Sequence, residues 1–330
     1  MPATENLHPT TARGRPSTGH VRTVTGPVPL SRIRGPVLAH EHLALDLGRD
    51  TDPDAVLLPA THGPHVVAEL AALREEFGLA LVIELTCRGM GRDARALARM
   101  SAASGVAVVA GTGWYYGRFH PDGLGRAGVG ELTDVLVRDI EHGIGPLAVR
   151  PGVIGEVGSH GERPAAGEAR VLVAAARAAV STGLSVATHA QLGVGGPGQL
   201  ELLIGAGLPA HRVSIGHQDL LDDPCVHRRL AASGAYVAFD TIGKRTYRSD
   251  ETRLRLVLAL LEAGHADRVL LSCDISRHRY LLNEGGHGYG HLFRSFLPAL
   301  RARGVDDELI DLMTRRNPLR FLTGAAKGGA

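Results

Sequence analysis

The chain has 330 residues, 44% of them hydrophobic and 21% charged, with a formal net charge of +2 when histidine is neutral. That balance describes a large globular core and carries no electrostatic footprint for nucleic acid or a membrane surface. Aromatic residues are only 4%, none interleaved with a basic stretch, and no run of about 18 apolar residues exists to span a bilayer.

Residues 1–20 are rich in Thr, Pro, Gly and Arg without periodicity and read as a disordered arm. They hold no apolar h-region, so no secretory signal is expected and a cytoplasmic location is the default. Cys87, Cys225 and Cys273 are too few and too scattered for a disulfide framework, and are expected to be small buried thiols.

Residues 21–34 (VRTVTGPVPLSRIR) read as a short β-hairpin suited to plugging the bottom of a barrel. Short apolar runs then alternate with helical patterns. The runs are GPVLAH (35–40), LALVIELT (79–86), VAVVAGTG (106–113) and PGVIGEVG (151–158), then LSVATHA (184–190), RVSIGHQ (212–218), AYVAFDT (235–241) and RVLLSCD (268–274). Continuous Val, Ile, Leu and Ala over so few residues is the pattern of strands buried on both faces. Between them HVVAELAALREEFG, GEARVLVAAARAAVSTG and TRLRLVLALLEAGH carry apolar residues at helical spacing, the first two ending on a capping glycine. Eight strands joined by crossover helices predict an α/β fold. It would be one parallel (β/α)8 TIM barrel over residues 21–325, with a frayed tail at 326–330.

Metal-ligand residue types stand at the C-terminal ends of these runs, the end where such barrels build their sites. His40 and His42 flank Glu41 directly after the first run, and alternation along a strand would send both imidazoles the same way. His189 ends the fifth run, His217 the sixth and Asp274 the eighth. Glu156 lies in the fourth, where a carboxylate has two oxygens to share between cations. Glu84, in the second, reads as a supporting residue. The glycines of GGHGYGH lack a strand–GxGxxG–helix setting, so they are not a phosphate loop.

These pieces resemble the phosphotriesterase family of the amidohydrolase superfamily over about residues 21–322. They are LAHEHL, ELTCRGMGRD, GTGWYY, GVIGEVG, ATHAQ, IGHQD, CDIS and RRNPLRFL. The stretch DISRHRYLLNEGGHGYGHLF is most similar to the phosphotriesterase-related and phosphotriesterase-homology branch. The resemblance implies a binuclear metal site and a small-molecule substrate. His40, His42 and Asp274 would hold the more buried ion, His189 and His217 the more exposed one, and Glu156 would bridge them. Phosphotriesterases proper carry a carboxylated lysine as the bridge; Glu156 in its place moves the expected chemistry from phosphotriesters towards carboxylic amides, esters and lactones. Mixed imidazole and carboxylate ligation suits Zn²⁺ first, with Mn²⁺, Co²⁺ or Fe²⁺ as alternatives. A shared water held as hydroxide between two cations would be the nucleophile, and Asp274 would take its proton. Relatives are often dimers, and a homodimer stays open, with no interface signature in the sequence.

The substrate should be selected by the loops after the strands. By resemblance to lactonases of the family, Tyr115 aligns with a tyrosine lying over the metals. Lys244 and Arg245 crowd the loop after the seventh strand, and Arg277, Arg279 and Tyr289 the loop after the eighth. Either they form a solvated basic rim, or some of them grip an anionic substrate, such as a carboxylate or sulfonate, for which Arg offers a bidentate fork. Other readings are a phosphotriesterase, a mononuclear deaminase needing one ion, and a non-catalytic binding protein on the same fold.

Overall fold

The computed structural model describes residues 19–48 and 52–326. Most of the expected N-terminal arm and C-terminal tail therefore lies outside the described residues, while His20 already begins a strand.

Strands β1 (His20–Thr23) and β2 (Gly26–Pro29) pair antiparallel as a hairpin. The barrel follows: β3 (Val37–Glu41), β6 (Leu81–Glu84), β7 (Ala107–Thr112), β8 (Val153–Ser159), β9 (Val186–Ala190), β10 (Val213–Ile215), β11 (Tyr236–Phe239) and β12 (Val269–Leu271). Each pairs in parallel with the next, in the order β3-β6-β7-β8-β9-β10-β11-β12. The ends of the series meet: the Asp274 amide donates to the His40 carbonyl at 3.2 Å, and the His40 amide to Ser272 Oγ at 3.0 Å. The two-residue strands β4 (Leu45–Asp46) and β5 (Val56–Leu57) form a small hairpin in the loop after β3, one that periodicity did not foretell.

Helices α1 (Gly63–Phe77), α2 (Ala94–Ser104), α3 (Val129–His142), α4 (Ala166–Thr182), α5 (Gly196–Gly205), α6 (Pro224–Ala232) and α7 (Asp250–Glu262) connect consecutive barrel strands. The short α8 (Leu297–Arg301), α9 (Asp307–Asp311) and α10 (Asn317–Thr323) close the chain. Helices α1 and α4 end where the capping glycines stand: Gly78 and Gly183 have φ of 69° and 75°, a conformation glycine adopts without a Cβ penalty. Among the described residues no helix is long and apolar enough to cross a membrane.

Strand alternation divides the core in two. Val37, Ala39, Leu81, Ile83, Val109, Val153, Ala187, Tyr236, Ala238 and Leu270 fill the barrel, together with Val21 of β1 and Phe321 and Leu322 of α10. The hairpin and the last helix thus seal the bottom. Leu38, Val82, Val108, Ile154, Val186, Val213, Ile215, Val237 and Val269 face outwards, into the layer packed under the helices. Cys87 and Cys273 are buried thiols; Cys225 instead is exposed on α6, because it stands in that helix's first turn.

Candidate metal centre

With the bottom sealed, the open end of the barrel is where the strand-end residues converge. His189 and Asp274 keep the parity of the interior positions Ala187 and Leu270 on their strands. The others need a device. The register of β3 against β6 shifts between Leu38 and Glu41, and that of β8 against β9 between Ile154 and Val157. Each shift inserts one extra residue, and these bulges re-aim His40, His42 and Glu156 into the mouth. His217 follows Ile215, which faces outwards; a φ of 56° turns its ring inwards. Asp274 has a φ of 48°. Left-handed backbone at a non-glycine residue costs about 1–3 kcal/mol and persists only where the surroundings hold it.

The ring nitrogens pointing away from the centre are all held. His40 Nδ1 donates to Asp240 Oδ2 at 2.7 Å and His217 Nδ1 to Asp240 Oδ1 at 2.9 Å. Thr86 Oγ1 donates to Glu84 Oε1 at 2.5 Å and accepts from His42 Nδ1 at 2.9 Å, so Glu84 supports the site from behind. His189 Nε2 meets Gln191 Oε1 at 2.6 Å. The remaining nitrogen of each ring faces inwards around Glu156. Its Oε1 lies 3.3 Å from His42 Nε2; its Oε2 lies 3.1 Å from His189 Nδ1, 3.5 Å from His40 Nε2 and 3.6 Å from His217 Nε2. Asp274 Oδ1 is 3.3 Å from His42 Nε2 and 3.9 Å from His40 Nε2, and its Oδ2 accepts from Lys244. Glu41 points away and takes the amides of Cys273 and Ile275, each at 2.8 Å, tying β3 to β12.

Burial should disfavour charge here, yet Glu156, Asp240 and Asp274 are all held below the usual carboxylate range. Burial opposes each, and the surrounding histidines, with Lys244 beside Asp274, outweigh it. The same carboxylates push His42 up to about 9 and His217 up to about 10 against the cost of burial. His189 shifts the other way, through burial and the adjacent His217. The three buried anions have one permanent cation among their described contacts, Lys244, and otherwise rely on protonated histidines for compensation, a role a bound cation would take over.

This arrangement fits divalent metal. His40 Nε2 is buried and without a hydrogen-bond partner, although its ring is clamped from the other side. His40, His42 and Asp274 form one group whose ligand atoms lie within 4.8 Å of one another; Glu156, His189 and His217 form a second. Imidazoles held by carboxylates and hydroxyls from behind are the usual support of metal ligands.

The centre opens into a cavity of about 250 Å³. His42, Glu156, His189, His217 and Asp274 lie along its lining, with Tyr115, Tyr116, Arg118, Lys244, Tyr247 and Arg277. Tyr115 Oη is 3.1 Å from His189 Nδ1, and the Tyr116 ring stacks on His189 at 5.3 Å. The expected basic rim divides. Lys244 is buried and committed to Asp274 and Ser276. Arg277 lines the cavity; Arg245 and Arg279 do not, Arg245 being exposed and Arg279 paired with Asp54. Tyr289 lies behind the site, fully buried, its hydroxyl donating to the His42 carbonyl at 2.7 Å. Of the GGHGYGH loop, Gly288, Tyr289 and Gly290 are buried, and none of its residues lines the cavity.

Asp240 was missed in the sequence, although AYVAFD shows the same strand-end carboxylate as RVLLSCD. Asp219 behind it accepts from the Asp240 and Thr241 amides at 3.3 and 3.2 Å and pairs with the fully buried Arg253 at 2.6 Å.

Comparison with known proteins places the chain in a family. The family model described as the Phosphotriesterase family matches residues 19–322. The phosphotriesterase homology protein of Escherichia coli (strain K12) is 38% identical, over 87% of this chain and 97% of that one. A crystal structure of the E. coli phosphotriesterase homology protein, complexed with phosphate in its active site, superposes with a TM-score of 0.84 over 88% of this chain and 99% of that one. N-acetyltaurine hydrolase of Rattus norvegicus is 30% identical, over 92% of this chain and 98% of that one. A mutant phosphotriesterase-like lactonase of Deinococcus radiodurans is 29% identical, with a TM-score of 0.81, over 92% of this chain and 99% of that one. The chain belongs to the phosphotriesterase family and is a metal-dependent hydrolase.

Proposed function

We propose that the chain holds two divalent cations, Zn²⁺ first among them, and cleaves a carboxylic amide, ester or lactone of a small anionic molecule. His40, His42 and Asp274 would hold one ion, His189 and His217 the other, with Glu156 shared. The observation that carries this is the set of inward ring nitrogens around one carboxylate, each ring fixed from behind. Bound there, two such ions would supply Lewis-acid chemistry to a water and to the scissile carbonyl.

The chain's own groups supply the rest. Asp274 keeps Oδ2 on Lys244 and turns Oδ1 to the cluster, ready to take a proton from the attacking water. As water adds to the carbonyl carbon, the bond to the leaving nitrogen or oxygen breaks, and Asp274 returns that proton to the leaving atom. Tyr115 closes the cavity over His189, and its hydroxyl is kept protonated by burial, with Glu156 adding to the effect. It is therefore a donor for the carbonyl oxygen.

A cavity of about 250 Å³ lies just below the usual range of ligand pockets, roughly 300–1,000 Å³, and suits a small substrate. The likeness to N-acetyltaurine hydrolase favours an amide of a short anionic amine, and the likeness to a lactonase keeps lactones as the second reading. The test is a panel of N-acetyl amides, esters, lactones and a phosphotriester, assayed with and without chelator. Chelator-sensitive turnover of N-acetyl amides above the phosphotriester supports the reading. Turnover indifferent to chelator, or confined to the phosphotriester, refutes it.

A further inference from the structure

Two acid–base contacts join the loop after β3 to the loop after β12 at the cavity rim. Arg277 meets Asp52 through both terminal nitrogens, and Arg279 meets Asp54 at 3.2 Å. Only the first pair lines the cavity. We propose that Arg277 receives the anionic end of the substrate, and that Asp52 occupies its guanidinium as an internal stand-in until that anion displaces it. This deepens the reading above and rests on it.

The two partners are unequally placed for such an exchange. The Arg277 side chain is 16% exposed and that of Asp52 is 35% exposed. Asp52 regains water on release, whereas Arg277 needs another anion in its place. The fork already holds a carboxylate in the two-point geometry that a substrate carboxylate or sulfonate would take. Arg118 and Arg279 also act on the charge of Asp52, so an incoming anion at that position meets the same field. Lys244, a cavity cation in the loop after β11, is held by Asp274 at the centre and cannot serve.

The pair makes an anion compete with an internal carboxylate, so Asp52→Asn should tighten anion binding and Arg277→Gln should weaken it. Ethanesulfonate and propionate are titrated calorimetrically into the metal-loaded wild type and both variants. N-acetyltaurine and its neutral methyl sulfone analogue are assayed in parallel. Loss of a charge-assisted pair predicts that Arg277→Gln raises the ethanesulfonate Kd and the N-acetyltaurine KM by about tenfold or more. The neutral analogue's KM should move much less, and Asp52→Asn should lower the ethanesulfonate Kd. Propionate following ethanesulfonate assigns Arg277 to anions in general; ethanesulfonate alone assigns it to sulfonates. The proposal is overturned if wild type binds neither anion, if Arg277→Gln shifts charged and neutral ligands alike, or if Asp52→Asn weakens anion binding. Anion binding that obeys these rules without turnover of either amide would sustain the Arg277 assignment while refuting the amide reading.

Discussion

Asp240 grips His40 and, through its other oxygen, His217, at 2.7 and 2.9 Å from their Nδ1 atoms. One carboxylate thereby fixes the tautomer and tilt of rings from two different strands, one in each proposed ligand group. Asp240→Asn should weaken retention of both metals by about 10–100-fold, the usual effect of removing an outer partner. Metal content after dialysis against graded chelator measures this. Retention equal to wild type would show that the Asp240 contacts are incidental.

Lys244 is buried against Asp274, and removing one partner of a buried pair leaves an uncompensated charge. Lys244→Met should destabilise the metal-free protein by about 3–5 kcal/mol. A cation bound by Asp274 would replace the missing charge, so the loss should be smaller in the metal-loaded protein. Urea unfolding of both forms gives the comparison. Equal losses would mean that Asp274 does not bear on the metal.

His287 supplies a pH dependence outside the centre. Burial, with His291 and Lys244 adding to it, brings its pKa down to about 4 from 6.5. Between those values the unfolded chain binds a proton that the folded chain refuses. Stability is therefore complete above pH 6.5 and falls as pH drops towards 4, by at most about 1.4 kcal/mol per pH unit for one group. The difference between wild type and His287→Asn in denaturant midpoints, taken from pH 7.5 to 4, should show this slope. A difference independent of pH would contradict it.

The barrel was legible because its eight strands are buried on both faces and start as short, mostly apolar runs. The convergence of the strand-end residues was legible only in part. His189 and Asp274 keep the parity of their strands. His40 and Glu156 arrive through bulges, and His217 through a left-handed turn, which alternation along a strand does not contain. Position along the predicted strands singled those residues out, and the family resemblance sorted them into two ligand groups. Contacts between loops were the least readable. A loop's composition named Lys244, Arg277 and Tyr289 as rim residues. Their partners Asp274, Asp52 and the His42 carbonyl are set by packing between residues 30 to 247 positions apart.

The account turns on how many cations the six converging side chains hold. Elemental analysis and metal titration of the wild type, Glu156→Ala and His40→Ala, each paired with the amide assay, test it most directly. The account predicts two equivalents per chain in the wild type, and loss of both metal retention and hydrolysis in each variant. A single equivalent in the fully active wild type, or a Glu156→Ala protein that keeps two metals and full activity, would contradict it.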